Sequence, residues 1–311
     1  MASLDTIPIV LSFTRNYLVP AATTIFSILK SNKSSKSYEF ICLINEELPF
    51  VEQKKLVDFL NPNHSVRFLN LQHELNNLPV NSRFTIAASY RLLLPQILPN
   101  YNKVIYIDSD IIVKNDIGEL YCTADLTNYY LAAVDEPALD LQLDYLEKIK
   151  CNPGEYFNSG FLIMNLELMR QHKLMPKFLE GLKNDSWLFP DQDILNIECK
   201  NYVLNIHPKY NSIRTFFLPQ YKNDFLKRYS NKEWQEVQND GNIHYTGAKP
   251  WNDFTVKFDE WWKHYYSIPK EIKENWKINY KLYFLSKVWN IRLINFFMEN
   301  IISFYRRIKY K

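Results

Sequence analysis

The chain has 311 residues, 47% of them apolar, 15% aromatic and 23% charged, enough to bury a sizeable core and unlike a disordered, collagen-like or disulfide-scaffold chain. Glycine numbers only six, and no two are spaced as G-x-G-x-x-G or G-x-x-x-x-G-K-[ST], which excludes standard dinucleotide and P-loop phosphate sites. The net charge of +3 hides an asymmetry, because residues 281–311 hold seven basic residues (Lys281, Lys287, Arg292, Arg306, Arg307, Lys309, Lys311) against Glu299 alone.

Apolar runs rich in β-branched and aromatic residues predict strands at Ile7–Phe13, Tyr38–Ile44, Val66–Leu71 and Val104–Ile107. Helical patterns fall between the first three, so the alternation predicts βαβ units and a parallel sheet, an α/β class. The first helix begins near Pro20 and ends before the polar stretch Ser31–Ser37; the second spans Phe50–Leu60. A third covers Ala87–Leu98, kinked or cut short by Pro95. Further strands are expected at Tyr130–Val134, Phe161–Asn165 and Asn242–Tyr245, and further helices at Met175–Leu182 and Asp191–Glu198. From Phe254 onward Trp261, Trp262, Tyr265, Tyr266 and Trp276 mark an aromatic, mostly helical part. The division expected is one α/β domain over residues 1–250 and a helical appendage over 251–311.

The four cysteines, Cys42, Cys122, Cys151 and Cys199, form no C-x-x-C, as expected of reduced thiols. The first residues lack a basic stretch followed by a long apolar one, so no signal peptide is expected and the setting is cytoplasmic. The basic tail also carries Leu282, Phe284, Trp289, Ile294, Phe297 and Tyr305. That bulk suits the surface of an anionic membrane rather than nucleic acid, with packing on the protein's own core as the competing reading. Its charges break every apolar run short of the ~20 residues of a span.

The sharpest local feature is Val104-Ile105-Tyr106-Ile107-Asp108-Ser109-Asp110, an apolar strand ending in two carboxylates one residue apart. Ligands collect at the carboxyl ends of strands in open α/β sheets. If strand geometry continues, Asp108 and Asp110 share one side and can approach one divalent cation. Three more segments set polar groups beside strand ends or helix starts: Tyr156-Phe157-Asn158-Ser159-Gly160, Phe189-Pro190-Asp191-Gln192-Asp193, and Ile243-His244-Tyr245-Thr246-Gly247-Ala248-Lys249-Pro250-Trp251. His244 offers a nitrogen ligand, while Gly247 and Lys249 offer backbone N–H groups and a positive charge suited to phosphate.

The ordered combination of strand–DSD, YFNSGFLIMNL, FPDQDILN and IHYTGAKPW resembles glycosyltransferase family 8, over Pro8 to Trp251. The family comprises retaining enzymes of GT-A fold, among them bacterial lipopolysaccharide galactosyl- and glucosyltransferases and glycogenin. The resemblance implies a mainly parallel sheet flanked by helices, with Asp108, Asp110 and His244 holding Mn²⁺, or Mg²⁺ in its place, on the diphosphate of a UDP-hexose. It further implies that Lys249 and Gly247 neutralise the departing phosphate, and that Arg91, Asp135 and Asn158 contact the donor, with Ser12 and Ser109 beside them. Asp191 would meet the hydroxyls of the transferred hexose and Gln192 its anomeric carbon. One departure is visible: Thr14 stands where the family has an aspartate that reads the base. A charge-assisted hydrogen bond of ~1.5–3 kcal/mol thereby gives way to a neutral one of ~0.5–1.5. Arg15 brings a positive charge toward the nucleotide, Tyr17 is placed to stack on the base, and Asn16 remains available to it.

The reading that follows is transfer of galactose or glucose to a hydroxyl of a cell-surface glycan or glycolipid of lipopolysaccharide type, with the enzyme peripheral on the inner face of the membrane. Two alternatives stay open. A catalytically silent nucleotide- or glycan-binding protein is suggested by Thr14 and Arg15; a haloacid dehalogenase-like phosphatase, with Asp108 as nucleophile, is suggested by strand–DxD alone.

Overall fold

The computed structural model describes residues 6–74 and 86–289. Arg292, Glu299, Arg306, Arg307, Lys309 and Lys311 of the expected membrane-binding tail lie outside the described residues.

The strands, in chain order, are β1 (Thr6–Phe13), β2 (Ser37–Ile44), β3 (Ser65–Asn70), β4 (Lys103–Ile107), β5 (Ile111–Ile112), β6 (Leu131–Asp135), β7 (Phe157–Asn165), β8 (Val203–Asn205), β9 (Ser212–Ile213) and β10 (Ile243–His244). Seven form one sheet in the order β3-β2-β1-β4-β7-β6-β8. All run parallel except β7, which lies antiparallel to both β4 and β6. The central residues of β1, β2, β4, β6 and β7 are buried on both faces, which explains unbroken runs such as Phe40-Ile41-Cys42-Leu43 where a half-exposed strand would alternate. A small second sheet, β5-β10-β9, sits at the carboxyl end of β4 and brings His244 over the turn at Asp108–Asp110.

The stretch expected as one helix over Ala87–Leu98 is broken into a helix at Ile86–Ser89, a 3₁₀ turn at Tyr90–Leu93 and a helix at Leu94–Ile97. Pro95 has no N–H for the Arg91 carbonyl, so the helix restarts with proline in its first turn. β7 begins at Phe157, four residues before the expected start, because Asn158 pairs with Val134 of β6 and the Gly160 carbonyl accepts from Asp108 N–H.

Beyond β10 the helix Phe258–Ser267 packs on the helix Leu18–Ser31, Lys270–Lys273 on Leu18–Ser31 and Phe50–Phe59, and Tyr280–Trp289 on Phe258–Ser267. Trp261, Trp262 and Tyr265 belong to the same continuous core as Ile9, Phe40 and Ile105. Trp289 is buried against Phe254, at 5.4 Å between ring centroids. Within residues 280–289, Leu282, Tyr283, Leu285 and Trp289 pack on the protein's own core, while Tyr280 and Phe284 stay exposed. All four cysteines are free thiols. Among the described residues no helix is long and apolar enough to cross a membrane.

Candidate active site

A cavity of about 690 Å³ opens where β1, β4 and β7 meet the small sheet, lined on one side by Ser12, Thr14 and Tyr17 and on another by Asn158, Asp191 and Gln192. Arg91, Asp108, Ser109, Asp110, His244, Gly247 and Lys249 complete the expected residues that line it.

The two acids converge without extended geometry. β4 ends at Ile107, and the chain turns at Ser109–Asp110. His244 Nε2 lies 3.6 Å from Asp108 Oδ2 and 3.4 Å from Asp110 Oδ1, and one ligand atom of each residue lies within 4.8 Å of the others. Gly160 is what permits this closeness: a Cβ there would sit 2.2 Å from His244 Cε1 and 2.8 Å from Asp108 Oδ2.

A hydrogen-bond chain assigns the imidazole tautomer. Gly160 N–H donates to Asn158 Oδ1 at 3.0 Å, so the Asn158 amide nitrogen points to Glu136 Oε1 at 2.8 Å. Asn211 donates its own amide nitrogen to Asn158 Oδ1 at 2.9 Å, which leaves Asn211 Oδ1 to accept from His244 Nδ1 at 2.9 Å. The Nε2 lone pair therefore faces the two carboxylates. Among the described residues, Asp110 Oδ1 is buried with no hydrogen-bond partner. Three acceptor atoms turned toward one another, with a neighbour orienting the imidazole, fit a hard divalent cation. The charges agree: among the described residues four carboxylates (Asp108, Asp110, Glu136, Asp191) face the cavity against two fixed cations, Arg91 and Lys249.

Lys249 is ion-paired to Asp110 and donates to the Tyr245 carbonyl at 2.6 Å. Burial opposes ionisation of Asp110, yet the Lys249 ammonium beside it holds its carboxyl below the usual range. Burial likewise opposes the charge on Lys249, and Asp110 reverses this and raises its ammonium. Gly247 has φ +82° with open space around it, a left-handed turn that exposes backbone to the cavity.

Arg91 is no surface arginine; it is 4% exposed. Its guanidinium meets Asp108 Oδ1 at 2.8 Å, Asp191 Oδ2 at 3.1 Å and the Ser159 carbonyl at 2.6 Å, and lies 4.4 Å from the Tyr106 ring centre. Burial opposes this charge, and the two aspartates more than offset it. Its visible work is to hold Asp108 and Asp191 in place. Burial raises the Asp191 carboxyl against the pull of Arg91. Gln192 Oε1 accepts from Ser159 N–H and from the Asn158 amide, both at 3.1 Å. The neighbouring Asp193 is fully buried, with one oxygen bonded to Tyr156 at 2.6 Å and the other to Phe189 N–H at 2.9 Å and to Tyr145. It is not presented to the cavity.

Three expectations are not met by the geometry. Asp135 points away, into a separate cavity of about 220 Å³, where Arg228 Nη2 holds it at 2.6 Å and Asn205 at 2.8 Å. Asn16 is exposed outside the cavity, and its carbonyl accepts from Trp276 at 3.2 Å. Arg15 turns outward to Glu52, with Nε 3.0 Å from the carboxylate, and brings no charge to the cavity. Thr14 lines the wall, and the Tyr17 ring rests edge-on at 5.6 Å from Trp251.

Sequence reasoning missed Glu136, Ser159, Asn211 and Tyr106. Ser159 lay inside a segment already singled out, but Asn211 falls in Tyr210-Asn211-Ser212, where no pattern marks it.

The family model "Glycosyl transferase family 8" matches residues 8–255. A lipopolysaccharide 1,2-glucosyltransferase of Escherichia coli is 30% identical over 249 residues, 77% of this chain and 71% of its own. General stress protein A of Bacillus subtilis is 30% identical over 61% of this chain and 68% of its own. Among solved structures, the WbbM bifunctional glycosyltransferase superposes with a TM-score of 0.73 at 26% identity, over 89% of this chain and 52% of that one. The galactosyltransferase LgtC, solved with donor and acceptor sugar analogues, gives 0.70 at 24%, over 86% and 99%. These likenesses identify the sheet and its flanking helices as the GT-A fold. The chain is a glycosyltransferase and belongs to glycosyl transferase family 8.

Proposed function

We propose that the protein transfers glucose or galactose, with retention, from a UDP-sugar to a hydroxyl of a glycan or glycolipid acceptor of lipopolysaccharide type. The observation that carries this reading is the convergence of Asp108, Asp110 and His244 beside Lys249, with an orphaned acceptor at their centre. Mn²⁺ held by these three residues would neutralise the diphosphate as negative charge gathers on the leaving UDP. Lys249 and the backbone at Gly247 would meet the departing phosphate. Asn158, Asp191 and Gln192 would receive the hexose, with Ser12, Thr14, Tyr17 and Ser109 along the nucleoside side.

In the reaction the C1–O bond to phosphate breaks, a C1–O bond to the acceptor forms, and the acceptor proton leaves on the phosphate oxygen. Asp193 is spent on two tyrosines, which favours front-side attack over a covalent intermediate on that carboxylate. The test is a panel of UDP-sugars incubated with the protein, scoring hydrolysis with and without Mn²⁺. Mn²⁺-dependent release of one hexose as the retained anomer supports the reading. Release of phosphate from simple monoesters instead, with every UDP-sugar untouched, contradicts it. We propose further that residues 290–311 attach the enzyme to an anionic membrane where a glycolipid acceptor lies.

A further inference from the structure

Three of the four carboxylates facing the cavity are each matched by a cation: Asp108 and Asp191 by Arg91, Asp110 by Lys249. Glu136 is the exception. It follows β6 directly and lines the cavity, and among the described residues no lysine or arginine lies within ion-pair distance of it. Its hydrogen-bonding neighbours are amides: Asn158 donates to Oε1 at 2.8 Å, and Gln192 lies in hydrogen-bond contact. The other titratable side chains that act on it are His244 and Asp193. Burial keeps its carboxyl above the ordinary range, partly offset by the Asn158 bond.

Its place relative to the cation cluster follows from the hydrogen-bond chain. Glu136 reaches His244 through Asn158 and Asn211, on the Nδ1 side of the ring, whereas Nε2 faces the acids. A carboxylate with no cation beside it repels phosphate, so this end of the cavity is not a phosphate end. A carboxylate flanked by two amides matches a hydroxyl, which donates one hydrogen bond and accepts others.

We propose that Glu136 is a saccharide-binding residue that accepts a hydrogen bond from a sugar hydroxyl at the Asn158–Gln192 end of the cavity; this rests on the transferase reading above. The hydroxyl belongs either to the transferred hexose or to the incoming acceptor, whose place water takes in hydrolysis. The experiment is Mn²⁺-dependent hydrolysis of the accepted UDP-hexose by wild type and by Glu136→Gln, with inhibition by UDP alone measured in both. Loss of a charge-assisted bond for a neutral one predicts an effect of about 10-fold. A rise in KM with UDP inhibition unchanged assigns the hydroxyl to the hexose. A fall in kcat at constant KM assigns it to the entering nucleophile. If kcat and KM both stay within about twofold, or if UDP inhibition weakens in parallel, the proposal is overturned. A thermal melt of Glu136→Gln and the companion variant Glu136→Asp separate misfolding from loss of the carboxylate: Glu136→Asp, which keeps the charge, should recover part of the loss, and no recovery in a folded protein also counts against it. Absence of any hydrolysis by wild type would instead sink the transferase reading itself.

Discussion

At the scale of single residues, the site depends on how close three ligand atoms are allowed to come and on which way one imidazole points. Gly160 governs the first. In Gly160→Ala the new methyl would overlap the His244 ring, which Asn211 prevents from retreating. Mn²⁺ affinity, followed by electron paramagnetic resonance, should fall by about 100-fold; unchanged affinity would show that the cluster is looser than its geometry. Asn211 governs the second. Asn211→Ala removes the acceptor for Nδ1–H, so the ¹⁵N shifts of His244 in the metal-free protein should move toward a mixture of tautomers, with Mn²⁺ binding weakened about 10- to 100-fold. Asn211→Asp retains an acceptor there and should keep the tautomer. At this scale the sequence disclosed the two acids and the imidazole but not their supports. Asp108, Asp110 and His244 are recognisable by chemistry and order, whereas Asn211 is one asparagine among many until β9 lies beside β10.

At the scale of elements, legibility followed apolar content. Strands β1, β2 and β4 were readable because their residues are buried on both sides of the sheet. The start of β7 was not, since Asn158, Ser159 and Gly160 read as a loop although they are buried within the strand. Asp135 and Glu136 carry a similar lesson. They are neighbouring acids at the end of β6 whose side chains go to separate cavities, and nothing in the sequence marks which of the two meets the one at Asp108. The turn after β1 is held from outside by the appendage, because Trp251 packs on Tyr17 and Trp276 donates to the Asn16 carbonyl at 3.2 Å. Trp276→Ala should therefore cost about 1–2 kcal/mol of stability, read from denaturant unfolding, and weaken UDP binding although residue 276 lies outside the cavity. Loss of stability with UDP binding intact would mean the turn holds its shape unaided.

At the scale of the whole molecule, the sheet and the C-terminal helices share one core, so truncation must respect it. Removing residues 281–311 would take Trp289 from its place against Phe254 and Phe258. A chain ending at residue 289 spares that contact and still removes five of the tail's seven basic residues. It should melt within a few degrees of the full chain and no longer sediment with vesicles rich in anionic lipid; unchanged sedimentation would remove the tail from the account. The central claim concerns the cavity itself, where acids and imidazole meet. It is tested most directly by calorimetric titration of UDP into the full chain with Mn²⁺ and again with excess chelator. The account predicts binding that needs the metal and is lost in Asp110→Ala. Equal affinity with and without the metal would contradict it.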